Sequence, residues 1–102
     1  MTRSQIERTF LNDVRLAADI AVPLANERVE GFEADFFWPG HRLVVEIDTY
    51  LTHGDRITFE RDRRKQTAYA RAGIMTLRIT EETLSQAVAN VRAVISDRAG
   101  RL

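Results

Sequence analysis

The sequence predicts an α/β domain in which a mixed β-sheet is flanked by helices. Three observations carry this. Apolar residues recur at helical spacing near both ends of the chain. Through its middle they alternate with polar residues at a period of two. A charged, helix-favouring stretch then separates that middle from a short, largely apolar run. With 102 residues, the chain has room for one domain, spanning 1–102, around one core.

The first helix is expected from Ser4 to about Ala21, with Ile6, Phe10, Val14, Ala17 and Ala21 on one face. Ser4 and Glu7 fit a capping box at its start, and Pro23 ends the segment. Glu30 to Asp48 reads as a β-hairpin turning at Pro39-Gly40, with Asn26 to Val29 as a further strand. Thr49 to about Asp55 is a loop containing His53 and Gly54. A helix is expected from about Ile57 to Ala72, with Gly73 as its stop. Ile74 to Ile79 is a strand, and Thr80 caps a last helix that buries Leu84, Ala87, Val88, Val91, Val94 and Ile95. The hairpin reaches the last strand through a helix, which suits parallel pairing and a right-handed crossover.

Composition narrows the function. There is no cysteine, so disulfides, zinc ribbons and thiol catalysis drop out. The polar N-terminus lacks a signal-peptide pattern and no apolar run approaches a bilayer span, so a cytoplasmic protein without a membrane partner is expected. A formal net charge of zero argues against a general nucleic-acid coat protein. The charge is nonetheless uneven: residues 1–48 hold five basic and nine acidic side chains, and the rest hold ten and six. Lys65 is the only lysine. Arginine suits phosphate because its planar fork donates two hydrogen bonds at once, although a GC-rich genome also produces arginine richness.

The hairpin register follows from its turn. If Pro39 and Gly40 form the loop, Trp38 pairs with His41, and Phe32, Ala34 and Phe36 face Ile47, Val45 and Leu43 as an apolar side. The opposite side then carries Glu33, Asp35, Glu46 and Asp48, with Glu33 opposite Glu46 and Asp35 diagonal to it. Opposed like charges destabilise a strand pair, whereas a shared magnesium ion turns the repulsion into attraction through oxygen ligands. The competing reading is the solvated face of a half-exposed hairpin. It serves for any one acid and less well for Asp35, Glu46 and Asp48 together, with Val44 and Phe37 beside them. His53 is a candidate general base or a solvated loop histidine. Glu7 is a candidate for reaching the metal or simply part of the helix cap. On the charged helix, Arg56, Arg63, Arg64 and Arg71 fall roughly on one face and, with Lys65, suit a polyanion next to an acidic metal site. Solvated helix pairs with Glu60 and Asp62 are the alternative. Trp38 and Phe37 can stack on bases or serve the core.

In order, Glu33-Ala34-Asp35-Phe36, Leu43-Val44-Val45-Glu46-Ile47-Asp48, His53, Phe59-Glu60-Arg61-Asp62-Arg63-Arg64-Lys65 and Gly73 through Leu77-Arg78 form a set. The set resembles the small bacterial endonuclease domains related to the very-short-patch mismatch repair endonuclease, within the PD-(D/E)XK restriction-endonuclease-like superfamily. The resemblance covers about residues 4 to 97. It implies a restriction-endonuclease-like αβββαβα core and metal-dependent phosphodiester hydrolysis on DNA, in repair or defence. By position it implies Asp35 and Glu46 as the motif acids holding magnesium or manganese, with Asp48 where the broad pattern has lysine. It also implies His53 as the loop histidine and Glu7 as an assisting helix glutamate. Thr49, Gln66 and Ile74 depart from the usual glycine, acidic residue and tryptophan. A catalytically inactive nucleic-acid-binding module is the alternative function. So small a domain is also expected to act as a homodimer or with a partner protein that supplies specificity.

Overall fold

A computed structural model describes residues 1–49 and 55–99. Helix α1 (Arg3–Ala17) is followed by strands β1 (Leu24–Val29), β2 (Phe32–Trp38) and β3 (Leu43–Ile47). Helix α2 (Arg56–Arg71), strand β4 (Met75–Ile79) and helix α3 (Ala87–Ala99) complete the order. The strands form one mixed sheet in the order β1-β2-β3-β4. The first three pair antiparallel, and β3 runs parallel to β4, as the intervening helix requires.

The sheet is covered on both faces. On one, Ile6, Phe10 and Val14 of α1 and Ala87 and Val91 of α3 pack on Phe36, Trp38, Leu43, Val45, Ile47 and Ile79. On the other, Tyr69 of α2 packs with Val29, Ala34, Val44 and Ile74. This explains why every residue of β3 is buried: a strand covered on both sides has no solvent face. Trp38 is a core residue, not a stacking platform. Its ring and that of Phe10 pack edge to face with centres 6.3 Å apart, and its indole N–H donates to the Ala21 carbonyl at 2.7 Å. Trp38→Phe is expected to lower stability by about 2 kcal/mol in urea unfolding, through one lost hydrogen bond and a small cavity.

Several boundaries differ from expectation for local reasons. Thr2, not Ser4, caps α1; its hydroxyl accepts from the Gln5 N–H while the Gln5 side chain accepts from the Thr2 N–H. The helix stops at Ala18, which adopts a left-handed conformation, well before Pro23. β1 and β2 form their own tight hairpin, because Glu30 and Gly31 both take positive φ, the geometry a two-residue turn needs. Thr80 does not cap α3. It forms a turn with Thr83, and a 3-10 turn over Leu84–Gln86 leads into the helix. Asp55 caps α2, and Gly73 with φ +73 ends it, with Arg42 donating to the Ala72 carbonyl and Arg98 to that of Gly73.

The β2–β3 register is displaced by two residues. The connection is a 3-10 turn over Pro39–His41 followed by Arg42 in the left-handed region, so Trp38 pairs with Leu43 and Phe36 with Val45. A two-residue slip by itself preserves the alternation of β3 against β2, whereas a one-residue slip would invert it. It brings Asp35 level with Glu46 and moves Glu33 away; Glu33 is exposed and pairs with Arg28 of β1. The expected apolar side of β2 is also corrected. Ala34 and Phe32 belong to the α2 side, and only Phe36 and Trp38 to the α1–α3 side. The change falls at Asp35, where β1–β2 pairing skips Asn26, itself at φ +53.

Candidate metal and phosphate site

Asp35 and Glu46 lie together where β2 and β3 part. Both are buried, at 6% and 7% exposure, and among the described residues they are the buried charged ones. Beyond Phe36↔Val45, side chains replace the strand ladder. The Ile47 N–H donates to Asp35 Oδ2 at 2.8 Å, and the Asp35 N–H donates to Glu46 Oε2 at 3.2 Å. Each carboxylate is thus fixed by the backbone of its neighbouring strand, which satisfies donors that the separated strands would leave unpaired.

Each acid also has a cation. Arg3, from the first turn of α1, grips Asp35 through Nη2 at 2.6 and 2.7 Å to its two oxygens. Lys65, from the middle of α2, reaches Glu46 Oε1. The four line a cavity of about 170 Å³ together with Asp48, Thr58, Asp62 and Arg78. Arg78 lies next to Glu46 in the parallel register and approaches Asp48 at 3.8 Å. The end of the Gln66 amide lies 3.2 Å from the Arg78 Nε, and the orientation that turns its oxygen there satisfies both groups.

Burial pushes the Glu46 carboxyl up to about 7; the Lys65 hydrogen bond opposes this and the adjacent Asp35 charge adds to it. Tyr69, one helical turn beyond Lys65, is 1% exposed. Burial, and then the charges of Glu46 and Asp35, push its pKa up and keep it protonated. Its hydroxyl has no hydrogen-bond partner among the described residues. Tyr69→Phe is expected to raise the stability of the metal-free protein by about 1 kcal/mol, measured as a higher urea midpoint, because it deletes an unsatisfied buried polar atom.

The residues singled out from sequence fall into groups. Asp35, Glu46, Asp48 and Lys65 share the cavity. Lys65 turns inward to Glu46, while Arg63, Arg64 and Arg71 line an outer groove along α2 with Glu60, Thr67 and Ala68. Arg63 also stacks over exposed Phe59, 4.8 Å from the ring centre. Arg56 opens α2 and is exposed. Glu7 does not cap α1. It accepts from Arg3 Nε at 3.2 Å and so touches the site through the arginine that holds Asp35. His53 lies outside the described residues.

Arg3 was not legible as a site residue, because nothing local links it to a strand 32 positions away. Tyr69 had a usable signal, its i, i+4 spacing from Lys65. Among the described residues no group of three or more histidine, aspartate or glutamate side chains forms a ready metal cage. Asp35 and Glu46 still fit a hard divalent cation, since magnesium commonly takes one or two carboxylates and completes its shell with water and substrate phosphate. The buried Tyr69 hydroxyl, near enough for the charges of Glu46 and Asp35 to act on it, has no partner among the described residues and adds unused hydrogen-bonding capacity. Among the described residues no helix is long and apolar enough to cross a membrane. Compared with known family models, curated proteins and solved structures, the chain matches none.

Proposed function

We propose that this chain is a magnesium- or manganese-dependent endonuclease that hydrolyses phosphodiester bonds of DNA, on the restriction-endonuclease-like pattern that its motifs resemble. The observation that carries the reading is the pair Asp35 and Glu46, buried and backbone-anchored side by side, opening on a cavity lined by both signs of charge. Two carboxylates buried side by side are costly to ionise even with a cation on each, and a metal-dependent site gives that cost a use.

Asp35 and Glu46 would hold the metal ion, with Asp48 beside them. When bound, the ion supplies Lewis-acid polarisation of the phosphate and lowers the pKa of a water nucleophile. Lys65, Arg3 and Arg78 line the same cavity and can donate to phosphate oxygens as negative charge builds in the transition state. Arg63, Arg64 and Arg71 along the groove of α2 can hold neighbouring phosphates, which positions the strand without reading its sequence. A homodimer or a partner protein would supply specificity.

Plasmid nicking with and without magnesium tests this. Wild type is expected to nick only with metal, and Asp35→Asn to lose the activity. Equal inertness of both proteins across magnesium, manganese, DNA and RNA would overturn the proposal.

The Arg3–Asp35 and Lys65–Glu46 pairs favour one second reading, a nuclease-like module that binds nucleic acid without cutting it. Its signature is salt-sensitive DNA binding that survives Asp35→Ala and Glu46→Ala. On either reading, the double variant Arg63→Ala/Arg64→Ala is expected to weaken duplex binding. It should also reduce the slope of log affinity against log salt by about 2, followed by fluorescence anisotropy.

A further inference from the structure

The two carboxylates and their two cations are held in different ways. Asp35 accepts from the Ile47 N–H and Glu46 from the Asp35 N–H, so each acid has a backbone tether separate from its ion pair. Arg3 and Lys65 come from two separate helices on long, flexible stems. Their side chains are 45% and 20% exposed, against 7% and 9% for the acids they hold. The cations are therefore the exchangeable half of each pair. All four groups line one cavity, so a cation released from a carboxylate remains beside it.

Resting on the nuclease reading, we propose that Arg3 and Lys65 are exchangeable counter-ions that couple divalent-metal uptake to binding of the substrate's phosphate backbone. Without substrate, the two side chains occupy the carboxylate oxygens, and a divalent ion must compete with them. This lowers apparent metal affinity by the fraction of time the acids are free. Once displaced, Arg3 and Lys65 stand next to a further positive charge, an arrangement relieved by a phosphodiester anion in the same cavity. Metal and phosphate then each raise the affinity of the other by the same factor. Glu7 belongs to the device: its ion pair with Arg3 offers the released guanidinium an alternative carboxylate on its own helix.

The test is calorimetric titration of manganese into the protein, alone and with a saturating non-hydrolysable DNA duplex. Wild type is expected to bind the ion about tenfold more tightly with the duplex than without it. Lys65→Met and Arg3→Gln are each expected to bind manganese more tightly than wild type when no DNA is present, and to gain less from the duplex. Arg3 is half-exposed in the first turn of α1, so Arg3→Gln carries the test if Lys65→Met fails to fold by circular dichroism. Metal affinity in the variants equal to or below wild type, or an undiminished duplex effect, overturns the coupling. If wild type meanwhile nicks plasmid with magnesium, the nuclease reading stands and only the exchange falls. If wild type neither binds manganese with the duplex nor nicks, both fall.

Discussion

Glu46→Gln is expected, on the proposed nuclease reading, to reduce metal-dependent DNA cleavage by about a thousandfold, on the several kcal/mol that a metal ion contributes to a phosphoryl transition state. The same change is expected to make the metal-free protein more stable at pH 8. The two effects share a cause. Glu46 is 7% exposed, beside Asp35, and its raised pKa means that ionising it in the folded protein is harder than in water even with Lys65 attached. Glutamine keeps the shape and can still accept the Asp35 N–H, but it carries no charge to desolvate. An active site that stores such a cost stabilises the fold when its charge is removed and loses its chemistry in the same step. Nicking rates at saturating magnesium and urea midpoints without metal read the two effects separately. A Gln variant that is less stable than wild type at pH 8 would mean that the Lys65 ion pair outweighs the burial of Glu46.

Between pH 4.5 and 7 the metal-free protein is expected to lose about 3 kcal/mol of stability through Glu46. The folded protein holds this proton up to about pH 7, while the unfolded chain releases it near 4.5. Across that window the native state binds more protons, so stability falls as pH rises. The contribution is fully present below 4.5 and gone above about 7. Because other groups titrate as well, the measurement is the difference between wild type and Glu46→Gln. The glutamine variant should gain its advantage through that window and keep it at higher pH. A difference independent of pH from 4 to 8 would show that Glu46 ionises normally in the folded protein.

Most of the architecture was legible in the sequence because it depends on periodicity. Ile6, Phe10 and Val14 announce α1, and the short β-branched apolar run from Leu43 to Ile47, broken at Glu46, announces β3. Gly73 announces the end of α2 by a conformation that glycine adopts freely. The turn between β2 and β3 was not legible, since Pro39-Gly40 fits a two-residue loop as well as the longer one that Arg42 completes. Nor was the split of β2 between two cores, which arises at the irregular Asn26 and Asp35.

The sequence by itself brought Asp35 and Glu46 to neighbouring positions on adjacent strands, because a two-residue error in register only turns the expected diagonal pair into a level one. It also determined that a basic helix would follow them. Only the tertiary structure decided which cations meet those acids. Arg3 reaches Asp35 from the start of the chain, and Lys65 turns inward while Arg63 and Arg64 face the outer groove. Those choices are set by how α1 and α2 pack on opposite faces of the sheet, and the distance between packed layers is not written in the spacing of residues along either helix.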